Sequence, residues 1–174
     1  MNYFELYDLP LSLKVDTTYN LKKYYALSRQ YHPDQFSMSS PEEQEHALHT
    51  STLINAAKQT LDNSYLRLAY ILKEEKILEE EEKFSLPPDF LASMMDINEQ
   101  IMALKFEPDA AQQVALENHI KQLEEELYKP VAYLFQADVF QGSPEIYQQL
   151  KLYYYKMKYL KRIQENLAGH HPEL

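Results

Sequence analysis

Apolar side chains recur at intervals of three and four residues along most of this 174-residue chain. The clearest run is Phe90, Met94, Ile97, Ile101 and Leu104. Such spacing puts one apolar side chain per turn on the same face of an α-helix, whereas a half-buried strand would alternate at every second residue. The chain also has only two glycines, too few for the many turns of a β-sandwich or barrel. The sequence therefore predicts an all-α fold.

The charge and the absence of cysteine exclude several classes of function. Seventeen Lys and Arg residues against 27 Asp and Glu residues give a net charge of −10, which disfavours nucleic acid and anionic membrane surfaces as partners. Without cysteine the chain has no disulfide, no thiolate nucleophile and no thiolate ligand for an iron-sulfur cluster or zinc. The N-terminus lacks a basic and apolar leader, and no segment is apolar enough to span a membrane. We therefore expect a cytoplasmic protein that binds other proteins.

An acidic run followed by two prolines marks the expected domain boundary. Like charges repel along Glu79–Glu82, and Pro87 and Pro88 interrupt helical structure. This predicts a first domain over 1–75, a linker over 76–88 and a second domain over 89–174. Four adjacent carboxylates on a helix would point in different directions, so the run is interpreted as a solvated linker rather than a calcium site.

Four helices are predicted in the first domain and three in the second. In the first, a short helix covers Tyr3–Leu9 and ends at Pro10, and Asp16 or Thr17 caps the next helix. The remaining two are a long helix capped by Ser40 and Pro41 and a short one over Tyr65–Leu72. The second domain has the run from Phe90, a helix through Leu116 and Leu127 that breaks near Lys129 because of Pro130, and a helix from Ser143 to Gly169. Three such helices joined by short turns form a bundle.

The tripeptide His32-Pro33-Asp34 follows the second predicted helix. We expect the imidazole at the negative end of that helix, and Pro33 ends the helix. An exposed Asp34 is an acceptor that an arginine on another protein can bind through two hydrogen bonds. The preceding helix carries basic residues that would attract an acidic partner: Lys22, Lys23 and Arg29. An acid–base enzyme is disfavoured because Pro33 is expected to point the His32 and Asp34 side chains apart, and no nucleophile or phosphate-binding loop accompanies them.

These residues resemble the J-domain of chaperone cofactors, and the resemblance extends to the HscB family of iron-sulfur cluster assembly. Four stretches carry it: Tyr3-Phe4-Glu5-Leu6-Tyr7-Asp8-Leu9-Pro10, Arg29-Gln30-Tyr31-His32-Pro33-Asp34-Gln35-Phe36, Ile54-Asn55 and Arg67-Leu68-Ala69-Tyr70-Ile71-Leu72. The resemblance implies a J-domain helical hairpin followed by a three-helix bundle. It further implies that the His-Pro-Asp loop stimulates the ATPase of an HscA/DnaK-type chaperone, and that the bundle delivers an IscU-type scaffold protein. Gln35 stands where many relatives have lysine.

The first helix of the second domain carries a further apolar stripe beside its core seam. Leu91, Met95 and Met102 share this face with Asp96 and Glu99. An exposed apolar patch edged by carboxylates is typical of a partner site, whereas a wide core or an interface with the first domain would also account for the stripe. The family resemblance implies scaffold binding here, with the contact residues Leu91, Ala92, Met95, Asp96, Glu99 and Tyr159. Ala92 is smaller than the residue that the family leads us to expect.

The remaining clusters of histidine and tyrosine are not predicted to bind a ligand or to catalyse a reaction. His46 and His49 lie three residues apart near acidic side chains, but such a surface is usually solvated, and no metal or cofactor is predicted. Tyr153-Tyr154-Tyr155 is interpreted as packing rather than as a platform for nucleic-acid bases, and His170 and His171 as part of a frayed tail. The alternatives that remain are a J-protein with a different client, a helical adaptor without chaperone activity, and an enzyme that uses His32.

Overall fold

The structure is a computed structural model that describes residues 2–79 and 82–169. This part of the chain forms seven α-helices and contains no β-strand, which confirms the predicted all-α fold. The helices are α1 (Tyr3–Leu6), α2 (Thr17–Gln30), α3 (Pro41–Asp62), α4 (Ser64–Glu74), α5 (Pro88–Phe106), α6 (Ala110–Tyr128) and α7 (Pro144–Ala168). Two 3-10 helices cover Pro33–Phe36 and Lys129–Phe135. Among the described residues, no helix combines the length and apolarity that crossing a membrane would demand.

Contacts divide the described chain into two compact units. Unit 1 contains residues 2–76 together with 133–141, and unit 2 contains 77–79, 82–132 and 142–169. The segment 133–141 lies within the range predicted for the second domain, yet it packs with the first unit. It forms hydrogen bonds and an ion pair with residues 11–14.

Local capping residues set the helix boundaries in unit 1. The Asp16 carboxylate accepts hydrogen bonds from the first turn of α2, and Ser40 forms a capping box with Glu43 at the start of α3. The Ser40 cap was predicted from the sequence, and of the two candidates predicted for α2, Asp16 and Thr17, Asp16 is the cap. Helix α1 is shorter than predicted because it ends at Leu6, and Asp8 then adopts a left-handed conformation with φ of 53°.

The core of unit 1 lies among α1, α2, α3 and α4. Its buried apolar side chains include Phe4, Tyr7, Leu27, Ile54, Leu61, Leu68, Ile71 and Leu72. The buried Tyr7 hydroxyl donates a hydrogen bond of 2.9 Å to the Ile54 carbonyl, which joins the loop after α1 to the middle of α3. This bond and the surrounding apolar contacts fix the α2–α3 hairpin on which the tip at residues 32–34 is built.

Arg67 is a buried cation bonded to backbone carbonyls. Its Nε and Nη2 atoms donate to the Leu13 carbonyl at 2.8 and 2.5 Å, and Nη1 donates to the Leu61 carbonyl. Burial lowers the pKa of this guanidinium, and the negative charge of Asp62 partly opposes that shift. One side chain of α4 thereby holds both the loop before α2 and the last turn of α3.

The segment 133–141 is bound to the loop that precedes α2. The Phe140 N–H donates to the Leu11 carbonyl at 2.8 Å, and the Ser12 hydroxyl donates to the Ala137 carbonyl at 2.8 Å. Lys14 forms an exposed ion pair of 2.7 Å with Asp138. These bonds explain why the segment belongs to unit 1.

Unit 2 is a bundle of α5, α6 and α7. Its buried side chains include Phe90, Met94, Ile97, Ile101, Leu116, Ile120, Leu150, Met157, Leu160 and Ile163. Helix α6 ends at Tyr128 and continues as a 3-10 helix that contains Pro130, so the predicted break near Lys129 is present. The Pro130 carbonyl accepts a hydrogen bond of 3.1 Å from the Gln149 side chain of α7.

Glu82 is not solvated, so the interpretation of this residue as part of a solvated linker is wrong. Glu80 and Glu81 lie outside the described residues. Only 20% of the Glu82 side chain is exposed, and its carboxylate lies 2.6 Å from the Lys151 ammonium of α7. The Tyr155 hydroxyl donates to the same carboxylate at 3.1 Å, and the Phe84 ring stacks on Tyr155 with centroids 4.4 Å apart. The hydrogen bond from Lys151 lowers the pKa of Glu82, while burial and then the bond to Glu82 raise the pKa of Tyr155 to about 12.

Candidate functional site

The tripeptide at 32–34 forms an exposed turn after α2. His32 is the N-cap of the 3-10 helix, and Pro33 takes its first position, where a missing N–H costs nothing. The side chain of Asp34 is 89% exposed and that of His32 is 57% exposed. Gln35 N–H donates to the His32 carbonyl at 2.9 Å, which closes the backbone turn around Asp34. The turn therefore presents a carboxylate to solvent on a defined backbone.

The position of the imidazole differs from the sequence expectation in two respects. His32 Nδ1 accepts a hydrogen bond of 3.3 Å from the Asp34 N–H, so the ring caps the 3-10 helix rather than the end of α2. Its Nδ1 atom also lies 3.6 Å from an Asp34 carboxylate oxygen, so the expectation that Pro33 points the two side chains apart is wrong. The tight 3-10 turn brings residues 32 and 34 together. An accepting Nδ1 places the proton of the neutral ring on Nε2, which leaves an N–H donor available for a partner.

The three predicted basic residues do not form one strip. Lys22 and Arg29 are exposed and line a shallow depression with Ala26, Gln30 and Gln35. Lys23 lies on a different side of α2 and forms an ion pair with Asp8, so its side chain is only 24% exposed. The positive surface near the turn therefore comes from Lys22 and Arg29, and Lys23 joins α2 to the loop after α1.

A second depression beside the turn contains residues that the sequence analysis did not single out. Arg29, His32 and Asp34 line it, and Tyr25, Ser28 and Gln35 complete the wall. The Tyr25 side chain is 57% exposed although it is large and aromatic. Its spacing of four residues from Arg29 is the sequence signal that would have placed it beside the turn.

The apolar stripe of α5 is open to solvent. Met95 is 61% exposed and Met102 is 55% exposed, while Leu91 is half-buried. Ala92, Asp96 and Glu99 are exposed on the same side of the helix. A wide core would have buried both methionines, so that interpretation of the stripe is wrong for Met95 and Met102. An accessible apolar surface with carboxylates beside it has the composition of a partner-binding site.

Tyr159 of α7 lies at the edge of this surface. Its ring packs edge-on against Phe90 of α5, with centroids 6.2 Å apart, and its side chain is half-buried. Of the six residues assigned by family resemblance, five therefore lie on α5, and Tyr159 lies on α7 in contact with Phe90 in the first turn of α5. Phe106, at the last position of α5 and 87% exposed, is an additional apolar residue that the sequence analysis did not name.

The histidine pair on α3 does not form a metal site in the structure. Within residues 2–79 and 82–169, no group of three or more His, Asp or Glu side chains could hold a metal ion. His46 instead packs edge-on against Tyr31, with ring centroids 6.5 Å apart, next to the turn at residues 32–34. His170 and His171 lie outside the described residues.

A helical domain with an exposed contact turn, joined to a bundle with an open apolar face, is the architecture of a co-chaperone, and comparison with known proteins identifies the family. The family model described as the HSCB C-terminal oligomerisation domain matches residues 86–168. The co-chaperone protein HscB homolog of Psychromonas ingrahamii is 34% identical over 153 residues, which cover 87% of this chain and 89% of that relative. This chain belongs to the HscB family, which confirms the resemblance predicted from its sequence.

A human relative and its crystal structure agree with this assignment, and a further solved structure shares the fold. The human iron-sulfur cluster co-chaperone protein HscB is 32% identical over 167 residues, which cover 95% of this chain and 67% of the human protein. The crystal structure of human co-chaperone protein HscB superposes with a TM-score of 0.82 at 29% identity, over 97% of this chain and 81% of the human one. The chaperone HscB from Vibrio cholerae has the same fold, with a TM-score of 0.76 at 23% identity over 97% of this chain and 96% of that one.

Proposed function

We propose that this chain stimulates the ATPase of an HscA/DnaK-type chaperone through its His-Pro-Asp turn and delivers to it an IscU-type scaffold protein bound on the bundle. Membership of the HscB family supports the iron-sulfur setting, and the proposal places the protein in the cytoplasm. The observation that carries the chaperone contact is the Asp34 side chain, 89% exposed and held by a closed 3-10 turn.

The turn supplies two groups to the chaperone. Asp34 accepts hydrogen bonds from an arginine of the chaperone, and the His32 Nε2–H donates in the same direction. Lys22 and Arg29 attract an acidic surface and orient it before contact. The chaperone supplies the nucleotide chemistry, and this chain contributes only binding and orientation.

The bundle holds the client while the turn engages the chaperone. Leu91, Met95 and Tyr159 provide the apolar contact, and Asp96 and Glu99 pair with basic groups of the scaffold protein. Two weak contacts within one chain raise the effective concentration of client at the chaperone, so delivery needs neither contact to be tight.

The test is His32→Gln, assayed by the ATPase rate of a cognate HscA-type chaperone. Stimulation should be lost because the flexible glutamine amide, although it has a donor and an acceptor, does not reproduce the rigid ring whose Nδ1 caps Asp34 N–H. The far-ultraviolet circular dichroism should stay unchanged. The matched control is His49→Gln, an exposed histidine of α3 in the same unit, which should stimulate as the wild type does. Equal stimulation by His32→Gln and wild type would reject the mechanism.

The same assay with scaffold protein separates the remaining candidates. Stimulation that depends on His32 but no binding of the scaffold protein would indicate a J-protein with a different client. Binding of the scaffold protein without any stimulation would indicate a helical adaptor.

A further inference from the structure

Helix α7 carries a concentration of positive charge that the proposed contacts do not use. Residues 151–162 contain five basic side chains and no acidic one, in a chain of net charge −10. Four residues of this segment follow one another at intervals of four, three and four, which puts them on one face of the helix: Lys151, Tyr155, Lys158 and Arg162. We call this face the α7 basic stripe.

The two ends of the α7 basic stripe differ. At one end the Glu82 carboxylate pairs with the Lys151 ammonium and accepts a hydrogen bond from the Tyr155 hydroxyl, so this end already binds a carboxylate of the same chain. At the other end Lys158 and Arg162 are exposed. Lys158 lies over the Tyr155 ring at 5.8 Å, and in the described part of the chain neither it nor Arg162 has a carboxylate partner within ion-pair distance. This end is therefore an unneutralised pair of cations about 6 Å apart along the helix axis.

The open end adjoins the apolar surface of the bundle. Lys158 precedes Tyr159, and Arg162 follows it by one helical turn. Tyr159 in turn contacts Phe90 at the start of α5, the helix that carries Met95, Asp96 and Glu99. Within unit 2, exposed carboxylates on α5 and exposed cations on α7 are therefore carried by two helices that meet at the Phe90–Tyr159 contact.

We infer that Lys158 and Arg162 bind a carboxylate-bearing segment of the same protein client that the α5 surface binds. This inference rests on the proposed function and specifies the client: it must present acidic side chains to α7 and basic side chains to α5. Charges of opposite sign on the two helices favour one orientation of the client and disfavour the reverse, because reversal would bring like charges together at both helices. At the opposite end of the stripe, Lys151 already binds the Glu82 carboxylate at 2.6 Å.

The test measures binding of purified IscU-type scaffold protein by isothermal titration calorimetry. The double variant Lys158→Glu/Arg162→Glu should weaken binding about tenfold at low salt, and the loss should shrink at about 0.5 M NaCl because exposed charges are then screened. Arg162→Glu alone should give part of the loss, and it removes none of the contacts of the bundle. The control is Lys121→Glu, an exposed lysine of α6, which should change the affinity less than about twofold.

The outcomes distinguish this inference from the function on which it rests. Equal affinity of the double variant and the Lys121→Glu control, with wild type still binding, would overturn the inference and leave the proposed function intact. No binding by the wild type would refute the proposed function and the inference with it. If the double variant kept its affinity for scaffold protein but lost binding of phosphatidylserine vesicles or duplex DNA, the stripe would belong to a different class of partner.

Discussion

Truncation of Met95 tests whether the open face of α5 binds the client. Full burial of a methionine side chain contributes about 1.5–3 kcal/mol relative to full exposure. Because 61% of Met95 is exposed, the part that a client can still bury corresponds to about 1–2 kcal/mol. Met95→Ala should therefore weaken binding of the scaffold protein by a factor of about 5 to 30. Leu91 is half-buried, so a client can bury less of its side chain than of Met95. The double variant Leu91→Ala/Met95→Ala should therefore lose about 2–3 kcal/mol of binding free energy.

The assay is calorimetric titration with scaffold protein, and the chain offers a matched control. Val114 lies on α6 of the same unit and is 55% exposed, so Val114→Ala removes a comparable apolar surface outside the candidate site. Its dissociation constant should match that of the wild type. If Met95→Ala bound as tightly as Val114→Ala, the α5 face would not be the client surface and the reasoning from exposure would be refuted.

Two further predictions concern the stability of the two units. Glu82 has a lowered pKa in the folded state, so its stabilising contact with Lys151 is complete above the ordinary pKa of glutamate and is lost as the pH falls through the lowered value. In Glu82→Gln, the melting temperature should therefore fall less steeply with decreasing pH than in the wild type. An unchanged acid limb would contradict the contact. Arg67→Met should destabilise unit 1 by about 3 kcal/mol, because it leaves the buried Leu13 and Leu61 carbonyls without their charged donor. Amide hydrogen exchange within α3 would measure this loss of stability. Unaltered protection of the α3 amides would contradict the prediction.

Features set by neighbours in sequence were predictable. The Ser40 cap with Pro41 at the first helical position depends on a few consecutive residues, and the break after Tyr128 depends on Pro130 alone. The helical periods likewise predicted the buried seam of α5. The exposure of Asp34 was also expected from local sequence, because a charged residue after the proline of a helix-ending turn is usually at the surface.

Features set by distant partners were not predictable. Glu82 and Tyr155 are 73 residues apart, and nothing in an acidic run indicates that one of its members is held by a lysine and a tyrosine of α7. The bonds of Arg67 to the Leu13 carbonyl span 54 residues. The contact between His32 and Asp34 is local, but it depends on the dihedral angles of a 3-10 turn, which the residue types alone did not specify.

The return of residues 133–141 to unit 1 affects how the chain can be divided. A cut after residue 76 would remove the Phe140 N–H from the Leu11 carbonyl, the Ala137 carbonyl from the Ser12 O–H and the Asp138 carboxylate from Lys14. The other fragment would carry a loop whose groups had lost the same bonds. The two units thus each have their own packing, but unit 1 contains a segment that lies between two segments of unit 2 in the sequence. A fragment that contains unit 1 alone would need residues 133–141 added back to keep all of its native hydrogen bonds, because unit 1 is not a continuous stretch of the sequence.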